Sequence, residues 1–414
     1  MPLFMSGLIR TIQRISQIGL LMTISTYAQV HALVVIPDHP IQHVLHESLK
    51  LPNTNSHKPN LHKHHIAKMR IMHIDLDYVF DSDKAQQKRN IQALIQRINA
   101  IQPNTIFLQA FADPDANGSA DQVYFENRHV PVRDNLFQQV HQLIRDKTQV
   151  QQVYAWLPML AWELPKAQDL NYVEHRQGGQ KGYIRLSPFE QKNLAIIVDI
   201  FRDFIQHNPV DGVLYHDDIT LSDYEDSSAS ARKYYQEWGF SKRIFNNIRH
   251  PLQGRLAKHK TAYLDQLAAG ITQVLKQYQP NLLVARNMYA PVVLQPQSEQ
   301  WFSQSMPSTY RYYDYNAIMA MPYMEQAKDH KKFYLDLIRH AKKYDPNLDR
   351  TIFELQTVNW RNQQKISTEE LQHTIQLLEQ HGVKHIGYYP DDFVAHHPQA
   401  KPMQLSFQLA SEPD

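Results

Sequence analysis

Eight short β-prone apolar runs recur between residues 70 and 389, and each is followed by a longer segment with helical spacing. The runs are Arg70–Val79, Thr105–Phe111, Gln152–Leu160, Gly212–Asp217, Leu282–Tyr289, Ala317–Met324, Thr351–Val358 and Lys384–Tyr389. Lys84–Ile101 places Ile91, Leu94, Ile95 and Ile98 on one helical face. The segments Leu136–Ile144, Leu194–Ile205, Ala257–Tyr278, Lys332–Tyr344 and Ser367–His381 follow the same rule. Strands joined through helices pair in parallel, because each crossover returns the chain in the same direction. Eight such units predict an α/β fold: a single-domain (β/α)₈ barrel of the TIM type over residues 69–400. A doubly wound sheet or two α/β domains would show the same alternation. No glycine-rich nucleotide fingerprint follows any run, which counts against a dinucleotide fold. Pro188, after Ser187, and Thr368-Glu369-Glu370, after Ser367, read as helix starts.

The bulk properties narrow the classes of function. The 414 residues carry a formal net charge of only +2, with acid and base intermixed, so no basic stripe points to nucleic acid. Cysteine is absent, which removes disulfides, thiolate metal sites, cysteine nucleophiles and an acceptor for lipid attachment. Arg10 and Arg14 precede the short apolar stretch Ile18–Ile24, and small-residue sites follow at Thr26-Tyr27-Ala28 and Val30-His31-Ala32. This pattern predicts a cleaved signal peptide over residues 1–32, hence a periplasmic or secreted protein with no membrane span in the mature chain. Residues 33–68, rich in Pro, Asn and His, read as a linker or poorly ordered arm, and 401–414 as a tail. His57, His62, His64 and His65 lack a carboxylate or Cys to complete a ligand set, so no metal and no cofactor is expected.

In a barrel of this type the chemistry sits at the C-terminal strand ends. The first run ends on Asp75 and Asp77, the second on Gln109, and the third carries Trp156. The fourth delivers His216, Asp217 and Asp218, the sixth Tyr323, the seventh Glu354, Gln356 and Trp360, and the eighth Tyr389. Carboxylates and amides suit sugar hydroxyls, and rings suit sugar faces. Side chains alternate along a strand, so Asp75 and Asp77 are expected to face together, as are Glu354 and Gln356, while Asp217 and Asp218 are expected to diverge. The densest stretch is Leu214–Asp226, LYHDDITLSDYED, whose loop adds Asp223, Glu225 and Asp226. Breaking a glycosidic bond needs a carboxyl that protonates the leaving oxygen and a partner that stabilises the oxocarbenium ion. Asp113 and Asp115, within Asp-Pro-Asp-Ala-Asn-Gly, read mainly as turn residues.

The segments HIDLDYVFDSD (His73–Asp83), QAFADPD (Gln109–Asp115), YHDDITLSDYED (Tyr215–Asp226) and FELQ (Phe353–Gln356) resemble the C-terminal domain of the PgaB family. The resemblance spans about residues 69–400. It implies an exported (β/α)₈ glycoside hydrolase domain acting on partially de-N-acetylated poly-β-1,6-N-acetylglucosamine, the biofilm exopolysaccharide. Carried over by position, it makes Asp217 and Asp218 the paired aspartates and Asp223 the catalytic aspartate of the loop. Asp75, Asp77, Gln109, Glu354 and Trp360 then fall in the cleft. Trp156, His216, Tyr323, Gln356 and Tyr389 join them from the strand-end reading as substrate contacts. The N-terminal deacetylase domain of typical relatives is not expected here, because about 36 residues separate the signal from the barrel and carry no TFDD-type or HxxxH motif.

Three functions remain open at this point. The first is an endo-glycosidase that cleaves β-1,6 linkages, with Asp223 as proton donor. The second is a module that binds the polymer and passes it to an outer-membrane export porin with little hydrolysis. The third, disfavoured, is an N-deacetylase.

Overall fold

The computed structural model describes residues 34–49 and 66–409, and these residues build one closed parallel barrel ringed by helices. The strands are β1 (Arg70–Ile74), β2 (Thr105–Gln109), β3 (Gln152–Leu157), β4 (Gly212–Tyr215), β5 (Leu283–Tyr289), β6 (Tyr315–Met319), β7 (Thr351–Gln356) and β8 (His385–Tyr389). Each strand pairs with its neighbours in chain order, and β1 closes the ring on β8 through Ile71↔Gly387 and Met72↔Tyr388. The helices after these strands are, in order, α2 (Lys84–Ile101), α3 (Leu136–Lys147), α4 (Gln191–His207), α5 (Gln253–Tyr278), α6 (Met306–Tyr312), α7 (His330–Ala341), α8 (Thr368–Gln380) and α9 (Ala400–Leu409). The eight strand–helix units expected from the periodicity are all present. The apolar runs are continuous because barrel strands are covered on both faces, by the packed interior and by the helices.

Several boundaries differ from the sequence reading, each for a local reason. β1 stops at Ile74, because Asp75 caps a 3₁₀ turn over Leu76–Tyr78 and accepts the Asp77 N–H at 3.0 Å. Asp75 and Asp77 are therefore not alternate residues of one strand. Helix α4 starts at Gln191 rather than at Pro188. Residues 401–409 are no tail: they lie in α9, whose Met403 and Phe407 are buried against α2 and α8. Residues 34–49, read as part of an arm, carry helix α1 (Pro40–Leu49), packed on α4 and α5. Ile41, Val44 and Leu45 are buried there, and the His39 ring stacks on Tyr263 at 4.1 Å. Gly270 permits this approach, since a Cβ on it would stand 2.5 Å from the Ile41 side chain. The expected signal peptide and the cluster His57, His62, His64 and His65 lie outside the described residues. No described helix is long and apolar enough to cross a membrane.

Gly212, the first residue of β4, shows how tightly the wall is packed. A Cβ there would stand 2.3 Å from the Tyr154 ring and 2.7 Å from the Leu283 carbonyl. Gly212→Ala is expected to cost about 1–3 kcal/mol through overpacking, measurable as a lower midpoint with an unchanged slope in urea unfolding.

Candidate active site

The C-terminal ends of the strands surround a cavity of about 70 Å³. Its lining includes His73 of β1, Trp156 of β3, His216 and Asp217 after β4, and Asn287 of β5, with Glu354 of β7, Trp360 and Tyr389 completing the ring. Met319, Met321 and Met324 supply an apolar side. Wider hollows of about 570 and 340 Å³ lie among the outer helices and hold none of the strand-end carboxylates predicted to act.

Asp217 is the most elaborately held group in the cavity. Tyr289 Oη donates to its carboxylate at 2.6 Å and Tyr183 Oη at 3.1 Å, while His216 Nδ1 lies 2.9 Å away. Burial pushes its carboxyl up, but the charge and hydrogen bond of His216 and the two phenols outweigh this and hold it below the ordinary value. Conversely, burial pushes His216 down, and the Asp217 carboxylate more than reverses it. Asp217 is thus an anion fixed in place beneath the aromatic rings.

Glu354 faces the same space. One carboxylate oxygen accepts from Asn287 Nδ2 at 2.6 Å, and the other lies 3.1 Å from His73 Nε2. Trp156 Nε1 and His73 Nδ1 are buried with no hydrogen-bond partner among the described residues. A buried indole N–H and a buried ring nitrogen in that state are uncommon, so both suit a polar ligand. The Trp360 and Tyr389 rings stack at 6.2 Å, and Trp156 meets Tyr389 edge-on at 5.3 Å.

Asp75, Asp77 and Gln109 form a second group at the mouth, outside the cavity lining. Asp77 accepts from Tyr124 Oη at 2.6 Å and Arg133 Nη1 at 2.9 Å, and its N–H donates to Gln109 Oε1 at 3.2 Å. Burial and then the Asp77 charge push Asp75 well above the ordinary aspartate value. Asp113 does serve its turn, accepting from Gly118 N–H at 2.8 Å and Asn117 N–H at 3.1 Å.

Four predicted residues stand elsewhere. Asp218 is fully buried and points away from the cavity; it accepts the backbone N–H groups of Met159, Leu160 and Ala161. It tethers the loop after β3 to the end of β4. Gln356 spends its amide on Tyr323 N–H, Met324 N–H and the Val358 carbonyl, and Tyr323 turns its hydroxyl to Glu370. Strand alternation aligned Gln356 with Glu354, but backbone groups of the neighbouring loops take its donors and acceptors. Asp223 sits half-buried on the loop after β4, outside the cavity lining. Burial raises its pKa, partly offset by Lys260.

Tyr183 was missed because it lies in the long excursion between β3 and α4, where no periodicity marks it. Its position depends on the 113–118 turn: a Cβ on Gly118 would stand only 2.3 Å from its ring, and Gly118 has φ +96°. Ser119 Oγ also accepts the Ile184 N–H at 2.7 Å. A glycine closing a Pro-Asp-Ala-Asn turn was the one legible signal, and it says only that something approaches closely.

Comparison with known proteins agrees with this geometry. Residues 73–389 match the family described as hypothetical glycosyl hydrolase family 13. The chain is 38% identical over 358 residues to the poly-β-1,6-N-acetyl-D-glucosamine N-deacetylase of Escherichia coli strain K12, covering 83% of this chain and 53% of that protein. It thus spans about half the length of the curated relatives it matches. The solved glycoside hydrolase domain of PgaB (BpsB) from Bordetella bronchiseptica is 38% identical, with a TM-score of 0.77 over 81% of this chain and 98% of that one. A β-galactosidase from Rahnella sp. R3 shares the fold alone, at 10% identity and a TM-score of 0.61, over 86% of this chain and 57% of that one. The chain belongs to the hypothetical glycosyl hydrolase family 13 and is a relative of the PgaB glycoside hydrolase domain.

Proposed function

We propose that this protein is an exported endo-glycosidase that hydrolyses β-1,6 linkages in partially de-N-acetylated poly-N-acetylglucosamine. The observation that carries the reading is Asp217: a carboxylate kept anionic by two phenols and a histidine, beneath Trp156, Trp360 and Tyr389, at the chemical end of a barrel. Paired carboxyls whose environments push their pKa values apart divide the work of acid and anion. Asp217, held low, would face the oxocarbenium ion as the bond to the leaving oxygen breaks. Asp223, raised by burial, would carry the proton to that oxygen. Glu354, accepting from Asn287 and His73, would orient the sugar with the Trp156 indole N–H. The polymer is drawn from the relatives' substrate, and periplasmic or secreted location from the N-terminal segment.

The deacetylase activity in the name of the Escherichia coli relative belongs to a protein of which this chain covers about half, and the Asp217 cavity supports glycosidase chemistry instead. The alternative is a module that binds the polymer and delivers it to an outer-membrane porin. The test is oligomer release from partially deacetylated poly-β-1,6-N-acetylglucosamine, read by mass spectrometry, with wild type beside Asp223→Asn. Oligomers from wild type are expected, with release by the variant reduced about 10²–10⁴-fold. Polymer retained intact by both proteins would replace hydrolysis with binding and export. Equal release by both would move the proton donor to another carboxyl, Glu354 first.

A further inference from the structure

The loop bearing Asp223 runs from His216 to Ser228 outside any strand or helix. Its buried carbonyls therefore need donors from elsewhere. Side chains supply them in succession. Arg286 Nη2 donates to the Ile219 carbonyl at 2.6 Å, Arg185 Nη1 to Thr220 at 2.5 Å, and Ser303 Oγ to Leu221 at 2.6 Å. Lys260, from α5, completes the series: its Nζ donates to the Ser222 carbonyl at 3.1 Å and the Glu225 carbonyl at 2.5 Å. Asp223 lies between those two anchor points. The other side chains named hold the approach to Asp223; past it, Arg176 N–H donates to the Tyr224 carbonyl at 2.9 Å and Glu225 N–H to the Ser222 carbonyl at 3.1 Å, and Lys260 is the side chain that holds carbonyls on both sides of Asp223.

Lys260 is an unusual residue for its place. It sits on the inward side of α5 with 4% exposure, flanked by the buried Leu256, Ala257 and Leu264. Its ammonium lies 5.3 Å from the centroid of the Tyr235 ring. Asp223, Glu225 and Asp226 attract it and Arg176 repels it, while Glu225 is itself paired with Arg185 at 2.9 Å. Burying an ammonium is costly unless it is fully paired, and a neutral side chain would fill the same space at less expense.

We infer that Lys260 is a positioning residue for the hydrolysis: it clamps the loop on either side of Asp223 and so sets where that carboxyl stands against the sugar, and the clamp is strongest when Lys260 is protonated. The inference rests on the reading of Asp223 as proton donor. Charge-assisted hydrogen bonds to the two carbonyls weaken when the amine becomes neutral. Burial lowers the Lys260 pKa from 10.5 to about 8, against the pull of the three carboxylates. Lys260 is charged below that value and neutral above it, so kcat falls as pH rises through about 8.

The experiment measures kcat and KM against pH on partially deacetylated poly-β-1,6-N-acetylglucosamine for wild type, Lys260→Met, Lys260→Arg and Asp223→Asn. Lys260→Met is expected to lose about 100-fold in kcat with KM nearly unchanged, because a misplaced reacting group costs rate rather than binding. Lys260→Arg is expected to keep most of kcat and to lose the fall near pH 8, since a guanidinium does not titrate there. Wild-type kcat in Lys260→Met overturns the inference, as does a fall near pH 8 that persists in Lys260→Arg. If circular dichroism shows Lys260→Met unfolded, the Lys260→Arg profile decides. A wild-type profile flat through pH 8 also overturns it, without any variant. A fully active Asp223→Asn defeats the underlying reading instead, whereas an inactive Asp223→Asn beside a fully active Lys260→Met defeats the clamp alone.

Discussion

Asp217→Asn is expected to lower kcat about 10³-fold while leaving the unfolding midpoint close to that of wild type. The amide has the shape of the carboxylate, so Tyr289 and Tyr183 keep an oxygen to donate to. What disappears is the negative charge. A cation developing at the anomeric carbon would then face a neutral dipole in a buried site, where the lost Coulomb attraction exceeds that in water. His216 loses the carboxylate that raises its pKa, and burial then pushes it toward the neutral form. Single-turnover rates on a defined oligomer, with thermal melts alongside, check the prediction. An Asp217→Asn variant with near-normal kcat would show that the anion is not used in bond cleavage. Wild type, by contrast, should keep Asp217 ionised down to pH values below 3.8, because its folded pKa is held under that ordinary value; activity that depends on this anion is lost only as pH falls further.

Asp218→Ala is expected to be primarily a stability variant, although its neighbour is at the centre of the site. Asp218 is 0% exposed, and its carboxylate accepts N–H groups from Met159, Leu160 and Ala161. Removing it strands those donors in a dry interior, at a cost of about 3–5 kcal/mol. Chemical denaturation should show that loss directly. The activity that remains at low temperature should show a changed kcat only as far as the loop after β3, which carries Trp162 and Glu163 onward toward Tyr183, is displaced. A variant as stable as wild type but inactive would reverse the assignment and return Asp218 to the chemistry.

These two expectations separate residues that the linear chain presents as equals. Asp217 and Asp218 are adjacent, have the same side chain and end the same apolar run. Alternation alone says that they diverge, but not which one faces the cavity. The choice is made by Tyr183 and Tyr289, one from an excursion without periodicity and one from the end of β5, and by three backbone N–H groups of the loop after β3. Asp223 poses a similar problem. Its loop was legible as acidic, yet the basic and hydroxyl side chains that shape it come from residues 185, 260, 286 and 303, far apart in sequence.

The helix and strand content was legible because it is written locally. Periods of 3.6 and short β-prone runs follow from side-chain geometry on one element, and eight repeats of the pair leave few architectures. Ser367 could be placed as a cap because its hydroxyl needs only the Glu370 N–H three residues on. The helices α1 and α9 escaped notice because their stability comes from partners: Ile41 on Gly270, and Phe407 near Tyr388. The sequence by itself thus determined the eight strand–helix units that point to a barrel and the end at which carboxylates and rings gather. Only the tertiary structure decided which of those groups face one cavity, which serve as tethers, and which phenols and cations set their charge. The physical reason is range: periodicity is a property of neighbours along the chain, whereas a pKa and a hydrogen-bond partner depend on groups that only folding brings within a few ångströms.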